Sequence, residues 1–233
     1  MKPKSGGNIS ALFDDISRKY DFLNRVLSFN ADIGWRRKLV KLSGASTGDK
    51  VLDVCAGTGD IGIELATVAP VDKIFGVDFS LEMLKEGSKK IGEKGYKGRV
   101  ISFIADALNL PFGSETFNVV TIGFGLRNLT DYRAGISEMT RVLKGGGRLM
   151  ILEFAMPERK IVSTIYGLYL KRILPIIGGV LTGKKSAYDY LSDSIAGFLK
   201  PMEVIEIMRA EGLVNLESFP MMAGTVYIYR GEK

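Results

Sequence analysis

Val51-Leu52-Asp53-Val54-Cys55-Ala56-Gly57-Thr58-Gly59-Asp60 is an apolar run that breaks into a glycine turn, and its reading decides the fold. Val51, Leu52 and Val54 have the character of a buried strand. Gly57 and Gly59 permit positive backbone dihedrals and close approach of a ligand, and Ile61, Ile63, Leu65 and Ala66 continue toward a helix. A strand, glycine turn and helix in that order bind small molecules at the carboxyl edge of a parallel sheet. Gly57, Gly59 and Gly62 also satisfy the spacing of a dinucleotide fingerprint, with Asp78 at about the expected ~20 residues. Charge separates the two readings. Asp53 and Asp60 flank the turn, and an anionic pyrophosphate brought against them in a partly dry cleft is repelled. S-adenosylmethionine carries a sulfonium and an ammonium and no phosphate, so the same carboxylates attract it.

Outward from the turn, strand and helix patterns alternate as in a doubly wound parallel sheet. Strands are expected at Lys73–Val77, Val100–Ile104, Phe117–Ile122 and Arg148–Phe154, with helices over Ser80–Ile91 and Asp131–Leu143 between them. The strand ends deliver Asp53, Asp78, Asp106, Gly123 followed by Arg127-Asn128, and Glu153 to one edge. Asp78 is placed to accept from ribose hydroxyls, and Asp106-Ala107 to meet an adenine. Leu213–Phe219 and Thr225–Tyr229 are expected to close the sheet as an antiparallel edge, after a helix from Pro201 to about Ala210 that Gly212 ends.

Two absences narrow the chemistry. The 233-residue chain has no histidine and a single cysteine, Cys55, which removes the commonest general base, Ser-His and Cys-His nucleophilic pairs, and imidazole or thiolate metal sites. Any catalysis falls to carboxylates, Tyr, Lys, Arg or water. Cys55 reads as a small residue packed beside the cofactor, and the lack of both a disulfide partner and a leader pattern points to a reducing, cytoplasmic setting. The net charge of +6 is scattered and no nucleic-acid module is present, so nucleic acid is not an expected partner.

The flanks differ from the core. Ile9, Leu12, Phe13, Ile16, Tyr20, Leu23, Val26 and Leu27 recur at helical spacing, followed by a second amphipathic run from Trp35 to Leu42. Residues 161–182 are strongly apolar but are interrupted by Lys171, Arg172 and Pro175. That interruption argues against a membrane span, which needs roughly 20 apolar residues, and leaves a lid, an interfacial helix or a core helix. Another aromatic-rich helical segment carries Tyr188, Tyr190, Leu191, Ile195 and Phe198. One domain is expected: a helical cap over 1–45, a cofactor-binding core over 46–154, a lipophilic lid over 155–200, and a closing helix and strands over 201–233. The fold class is α/β, a Rossmann-like, mostly parallel seven-stranded sheet with an antiparallel edge strand.

Several motifs together resemble one family. Asp53 with Ala56-Gly57-Thr58-Gly59-Asp60 is similar to the glycine motif of class I S-adenosylmethionine-dependent methyltransferases. Tyr20-Asp21-Phe22-Leu23-Asn24 through Leu27-Ser28 to Trp35, Phe124-Gly125-Leu126-Arg127-Asn128, and Arg141-Val142-Leu143-Lys144 with Gly146-Gly147 resemble the ubiquinone and menaquinone biosynthesis C-methyltransferases, as does Tyr188-Asp189-Tyr190-Leu191. Asp32 stands where that family usually has histidine, and Gly145 where it usually has proline. The resemblance implies methylation of a ring carbon of a prenylated quinol, demethylmenaquinol to menaquinol or the ubiquinone-pathway equivalent. Together with the readings above it gives a cofactor set of Asp53, Gly57, Thr58, Gly59, Asp78, Phe79, Asp106, Ala107 and Gly123, and no metal. Arg127 is then expected to stabilise phenolate charge, with Asn128 orienting a ring hydroxyl or water; water held by Arg127, Glu153, Tyr188 or Asp32 are the candidate proton acceptors. Methylation of another lipophilic molecule and a non-catalytic cofactor-binding module are the alternatives. Membrane contact through 161–182 at the inner surface and a homodimer complete the expected partners.

Overall fold

The computed structural model describes residues 14, 17, 20–176 and 185–233. Its seven strands are β1 (Lys50–Val54), β2 (Lys73–Asp78), β3 (Val100–Ile104), β4 (Phe117–Gly123), β5 (Leu143–Phe154), β6 (Val214–Met221) and β7 (Val226–Glu232). They form one sheet in the order β3-β2-β1-β4-β5-β7-β6. The pairings β2/β3, β1/β2, β1/β4 and β4/β5 are parallel, whereas β7 pairs antiparallel with both β5 and β6. The closing hairpin therefore supplies the antiparallel edge, with its second strand on the inside. Strand order reverses between β1 and β4, which places the switch-point crevice at their carboxyl ends.

Both faces of the sheet are buried, which is why the strands read as nearly continuous apolar runs. On one face Val51, Ile74, Val119, Met150 and Leu152 meet Trp35, Leu39 and Val40 of α2 (Ala31–Ser43) and Ile61, Ile63 and Leu65 of α3 (Asp60–Val68). On the other, Leu52, Val54, Val120, Ile122, Leu149 and Ile151 meet Ile136 and Met139 of α5 (Tyr132–Val142) and Val204, Ile205 and Met208 of α8 (Pro201–Ala210). The alternation is strict along β1, β4 and β5, the period of two that a strand imposes on its side chains.

Local signals explain the helix starts. Ser80 accepts from the Met83 amide to begin α4 (Leu81–Glu93), and Asp131 accepts from the Ala134 amide to begin α5. One strand starts earlier than its pattern indicates: β5 begins at Leu143, not Arg148, because Leu143 pairs with Phe117 before the register shifts toward Val119 and Arg148. Gly145, Gly146 and Gly147 lie inside that irregularity, so a glycine run that suggests a turn is here a bulged strand.

The N-terminal cap is helical over 20–27 (α1), then breaks where Phe29 and Asn30 adopt left-handed φ of 52° and 62° ahead of α2. Ile9, Leu12, Phe13 and Ile16 of the expected amphipathic run lie outside the described residues. So do 177–182 of the lipophilic segment. The rest of that segment forms α6 (Lys160–Leu168) and a π-helical turn (Tyr169–Ile173), and α7 (Lys185–Ala196) follows. No residue of α6 is fully buried, so it is not a core helix; Leu170 and Leu174 beyond it are buried against Leu23, Tyr188 and Ile195, and Tyr166 and Tyr169 pack half-buried on the same cluster. Among the described residues, no helix is long and apolar enough to cross a membrane.

Candidate active site

At the carboxyl end of β1, Gly57 and Gly59 take φ of 54° and 78°, values that a side chain disfavours, and the turn delivers the chain into α3. Asp78 ends β2 and holds this turn: its carboxylate accepts from the Gly57 amide at 2.8 Å and from the Ser80 amide at 2.9 Å. Burial raises the Asp78 pKa above the ordinary carboxylate value against the opposing pull of these amides. Asp106 follows β3 and accepts from the Leu108 amide at 2.9 Å, which fixes the loop that carries Ala107.

These elements enclose a cavity of about 250 Å³. Gly57, Asp78, Phe79, Asp106, Ala107 and Gly123 line it, with Val77, Met83, Ala105 and Leu108 supplying apolar wall. A Cβ on Gly123 would come within 2.5 Å of Ile61, so even a serine there requires that side chain to move. Among the described residues, no lysine or arginine lines it. Carboxylates, an apolar slot and no cation fit the ribose, adenine and sulfonium of S-adenosylmethionine and do not fit a pyrophosphate.

The charge argument stands on different residues from those the sequence suggested. Asp53 does not line the cavity; it is 1% exposed, accepts from the Thr121 hydroxyl at 2.7 Å, and burial pushes its pKa up to about 7. Asp60 is likewise turned away. Burial raises its pKa, but Arg36, Lys90 and Arg25 outweigh that and hold it below the ordinary value. Thr58 and Gly59 also lie outside the lining, and the Thr58 hydroxyl donates to Asp21 of α1 at 2.6 Å. Among the described residues, Asp78 and Asp106 are the carboxylates that line the cavity.

Asp53 carries a stability prediction. Well below the ordinary value of 3.8 its carboxyl is protonated in both folded and unfolded chains. Between the ordinary value of 3.8 and about 7 the unfolded chain releases the proton while the folded one keeps it, so native stability falls as pH rises through that window. Asp53→Asn does not titrate and keeps an acceptor for Thr121. Denaturant unfolding should show the variant gaining on the native protein from pH 4 to 7, and a constant difference across that range would refute the assignment.

A second, larger cavity of about 320 Å³ adjoins the first, with Tyr20 and Phe124 lining both. Its wall includes Leu23, Leu27, Trp35, Leu170, Leu174 and Ile195, together with Tyr166, Tyr169, Tyr188 and Tyr190. Arg127 lines it too, and is 4% exposed. The Arg127 guanidinium pairs with Glu153 at 2.9 Å and donates to the Phe124 carbonyl, while its backbone amide donates to the other Glu153 oxygen at 3.1 Å. Burial opposes its charge, but Glu153, Tyr20 and Tyr190 more than offset this and hold its pKa above the ordinary value. Asn128 lines the smaller cavity; its carbonyl accepts from Tyr190 at 3.0 Å and its amide nitrogen donates to the Phe124 carbonyl at 3.3 Å. Phe124 itself has a left-handed φ of 57°, and its ring lies 4.6 Å from Phe154 and 6.0 Å from Trp35. Sequence spacing placed Arg127-Asn128 at the site, but it gave no sign that Tyr20 and Phe124 form the partition between the two cavities.

A β1/β4 switch point, a glycine turn tied to an acid at the end of β2, and a cavity lined by carboxylates and apolar groups are features shared by class I S-adenosylmethionine-dependent methyltransferases. The ubiE/COQ5 methyltransferase family model matches residues 1–233, and the chain belongs to that family. It is 43% identical over 231 residues to the ubiquinone/menaquinone biosynthesis C-methyltransferase UbiE of Geobacter sulfurreducens, covering 99% of this chain and 90% of that one. It is 39% identical over 234 residues to the demethylmenaquinone methyltransferase of Thermotoga maritima, covering 100% and 99%. Among solved structures it is similar to the [4+2]-cyclase SpnF, with a TM-score of 0.72 at 16% identity over 97% of this chain and 94% of that one. A methyltransferase from Aquifex aeolicus gives 0.60 at 18% identity over 84% and 88%. A cyclase among these neighbours illustrates that the fold alone does not determine the reaction.

Proposed function

We propose that the chain transfers the methyl group of S-adenosylmethionine to a ring carbon of a prenylated quinol, with demethylmenaquinol as the acceptor. The observation that carries this reading is the second cavity: aromatic and aliphatic over most of its wall, adjoining the cofactor cavity, and lined among the described residues by two buried guanidinium groups, Arg127 and Arg36, the latter paired with Asp32 and Asp60. That wall suits a fused ring and the start of a polyprenyl tail. The family match and the name of the Geobacter relative support C-methylation in quinone biosynthesis, and the name of the Thermotoga relative supports demethylmenaquinone in particular.

In the cofactor cavity Asp78 would hold the ribose and Asp106 with Ala107 the adenine, and the bound cofactor supplies the electrophilic methyl. Arg127 stabilises the ring oxygen as it loses its proton, and Asn128 acts through Tyr190, to which its carbonyl is committed. Neither nearby carboxylate suits proton abstraction. Glu153 is fully buried and occupied by Arg127 and the Phe154 amide, and Asp32 is clamped by Arg25, Arg36 and Ser28. The proton leaves to water. Labelled S-adenosylmethionine with demethylmenaquinol tests the reading. Methyl transfer supports it; transfer only to other lipophilic acceptors favours a different methyltransferase, and binding without transfer favours a non-catalytic module.

The lipophilic segment gives the tail a route outward. Ile161, Ile165 and Leu168 of α6 are exposed, as are Ile173 and Ile176, while Tyr166, Tyr169, Leu170 and Leu174 from the same segment line the cavity. Exposed Phe29 and Met222 also line that cavity. An apolar face with Lys171 and Arg172 beside it matches an anionic membrane surface at the inner, cytoplasmic side. Ile165→Glu is expected to reduce co-sedimentation with anionic phospholipid vesicles and to slow long-tailed quinols more than short-tailed ones. Equal loss for both tail lengths would count against the membrane role.

A further inference from the structure

We propose that Tyr20 is a catalytic residue whose phenol hydroxyl donates a hydrogen bond to the quinol oxygen as the neighbouring ring carbon takes the methyl group. The inference rests on the quinol reading above and goes beyond it by assigning a contact at the reacting ring.

Methyl transfer must occur where the two cavities adjoin, and among the described residues Tyr20 and Phe124 are the two that line both. Phe124 cannot supply a polar side-chain contact, and its carbonyl is already engaged by Arg127 and Asn128. Tyr20 brings a hydroxyl to the same partition. The Asn24 side chain hydrogen-bonds that hydroxyl, and a phenol can accept one bond while donating another. Arg127 and Arg36 lie within electrostatic reach of the hydroxyl, so the locality favours negative charge on oxygen. Burial nevertheless pushes the Tyr20 pKa above its ordinary value, which keeps the group protonated at neutral pH and makes it a donor instead of a base.

The step balances without a further reactant. The quinol hydroxyl releases a proton to water, and the ring-carbon electron pair forms the new carbon–carbon bond. The carbon–sulfur bond breaks with its electrons kept by sulfur, and the ring-carbon proton then leaves to water as aromaticity returns. The ring oxygen then takes a proton back from water, so the products are methylated quinol, S-adenosylhomocysteine and one net proton. Tyr20 and Arg127 act on the first event by stabilising the deprotonated ring oxygen.

Tyr20→Phe keeps the ring and removes only the hydroxyl. With a short-tailed demethylmenaquinol and saturating S-adenosylmethionine, kcat should fall roughly 10- to 100-fold, the rate equivalent of one hydrogen bond to a charged group. The rising limb of the kcat–pH profile should move to higher pH, since the bound quinol loses a donor that favours its ionised form. Cofactor affinity by calorimetry and the thermal midpoint should stay as in the native protein. Asn24→Ala, which removes the Tyr20 hydroxyl's partner and a polar group of the larger cavity's wall but leaves the phenol in place, should show a smaller loss with the same direction of pH shift. Native protein that methylates the quinol while Tyr20→Phe retains both its kcat and its pH limb overturns the assignment alone. Native protein that methylates no quinol overturns the substrate reading, and this assignment with it. A Tyr20→Phe defect confined to cofactor affinity also overturns it.

Discussion

Arg127→Met is expected to lose both turnover and stability, and adding Glu153→Gln to restore much of the stability but not the turnover. The pair is among the most buried in the fold, with Arg127 4% exposed and Glu153 fully buried. Removing one partner of such a pair leaves an uncompensated buried charge and costs about 3–5 kcal/mol. In Arg127→Met the orphan is Glu153, which keeps the backbone amides of Arg127 and Phe154 as donors. Those amides moderate the loss without cancelling it. Glu153→Gln neutralises the orphan and retains an acceptor for one of the two amides, so the double variant should unfold at higher denaturant than the single one. Activity follows different logic. Arg127 and Arg36 both line the larger cavity and both act on Tyr20, but Arg36 is committed to Asp32 and Asp60, whereas Arg127 also donates to the Phe124 carbonyl at the partition. Loss of one such group typically costs about 10²–10³ in kcat. Paired denaturant unfolding and labelled methyl transfer separate the two effects. A double variant that regained the native rate would show that Arg127 acts only as the structural partner of Glu153.

The residues that sequence spacing could place are those whose function depends on where a strand ends. Asp78, Asp106 and Gly123 terminate or follow apolar runs, so their arrival at one edge follows from a period of two and parallel pairing. Spacing does not reveal side-chain direction. Asp60 stands one residue after a glycine that closes the turn, yet three cations 24 to 35 positions away in sequence draw it out of the cavity; Arg25 and Arg36 come from the cap and Lys90 from α4. Thr58 is diverted in the same way by Asp21. The early start of β5 was hidden for another reason: Gly145, Gly146 and Gly147 weaken a strand's pattern, while pairing of Leu143 with Phe117 extends it. In α6 the apolar period is visible in sequence, but only the structure shows that its residues are not fully buried. A strongly apolar helix that avoids the core is what makes a membrane or tail-binding role worth testing.

Asp78→Ala is expected to weaken S-adenosylmethionine binding by roughly 10- to 100-fold or more, through two losses that compound. The first is the acceptor for the ribose hydroxyls, a bond to a charged group worth about 1.5–3 kcal/mol. The second is preorganisation. The same carboxylate holds the Gly57 and Ser80 amides at 2.8 and 2.9 Å, so it ties the glycine turn after β1 to the cap of α4. Without it two amides lose their protein acceptor, and the turn must be ordered by the cofactor at a cost taken from affinity. Asp78→Asn distinguishes the losses. An amide side chain can still accept from one of the two backbone donors, but its nitrogen faces the other as a second donor, so part of the turn is retained while the charge is gone. Calorimetry should therefore rank native protein above Asp78→Asn and Asp78→Ala weakest, with hydrogen exchange at Gly57 rising in the same order. Equal affinities for all three would remove Asp78 from the cofactor site. Equal weakening in both variants, with Gly57 exchange unchanged, would assign its whole contribution to charge.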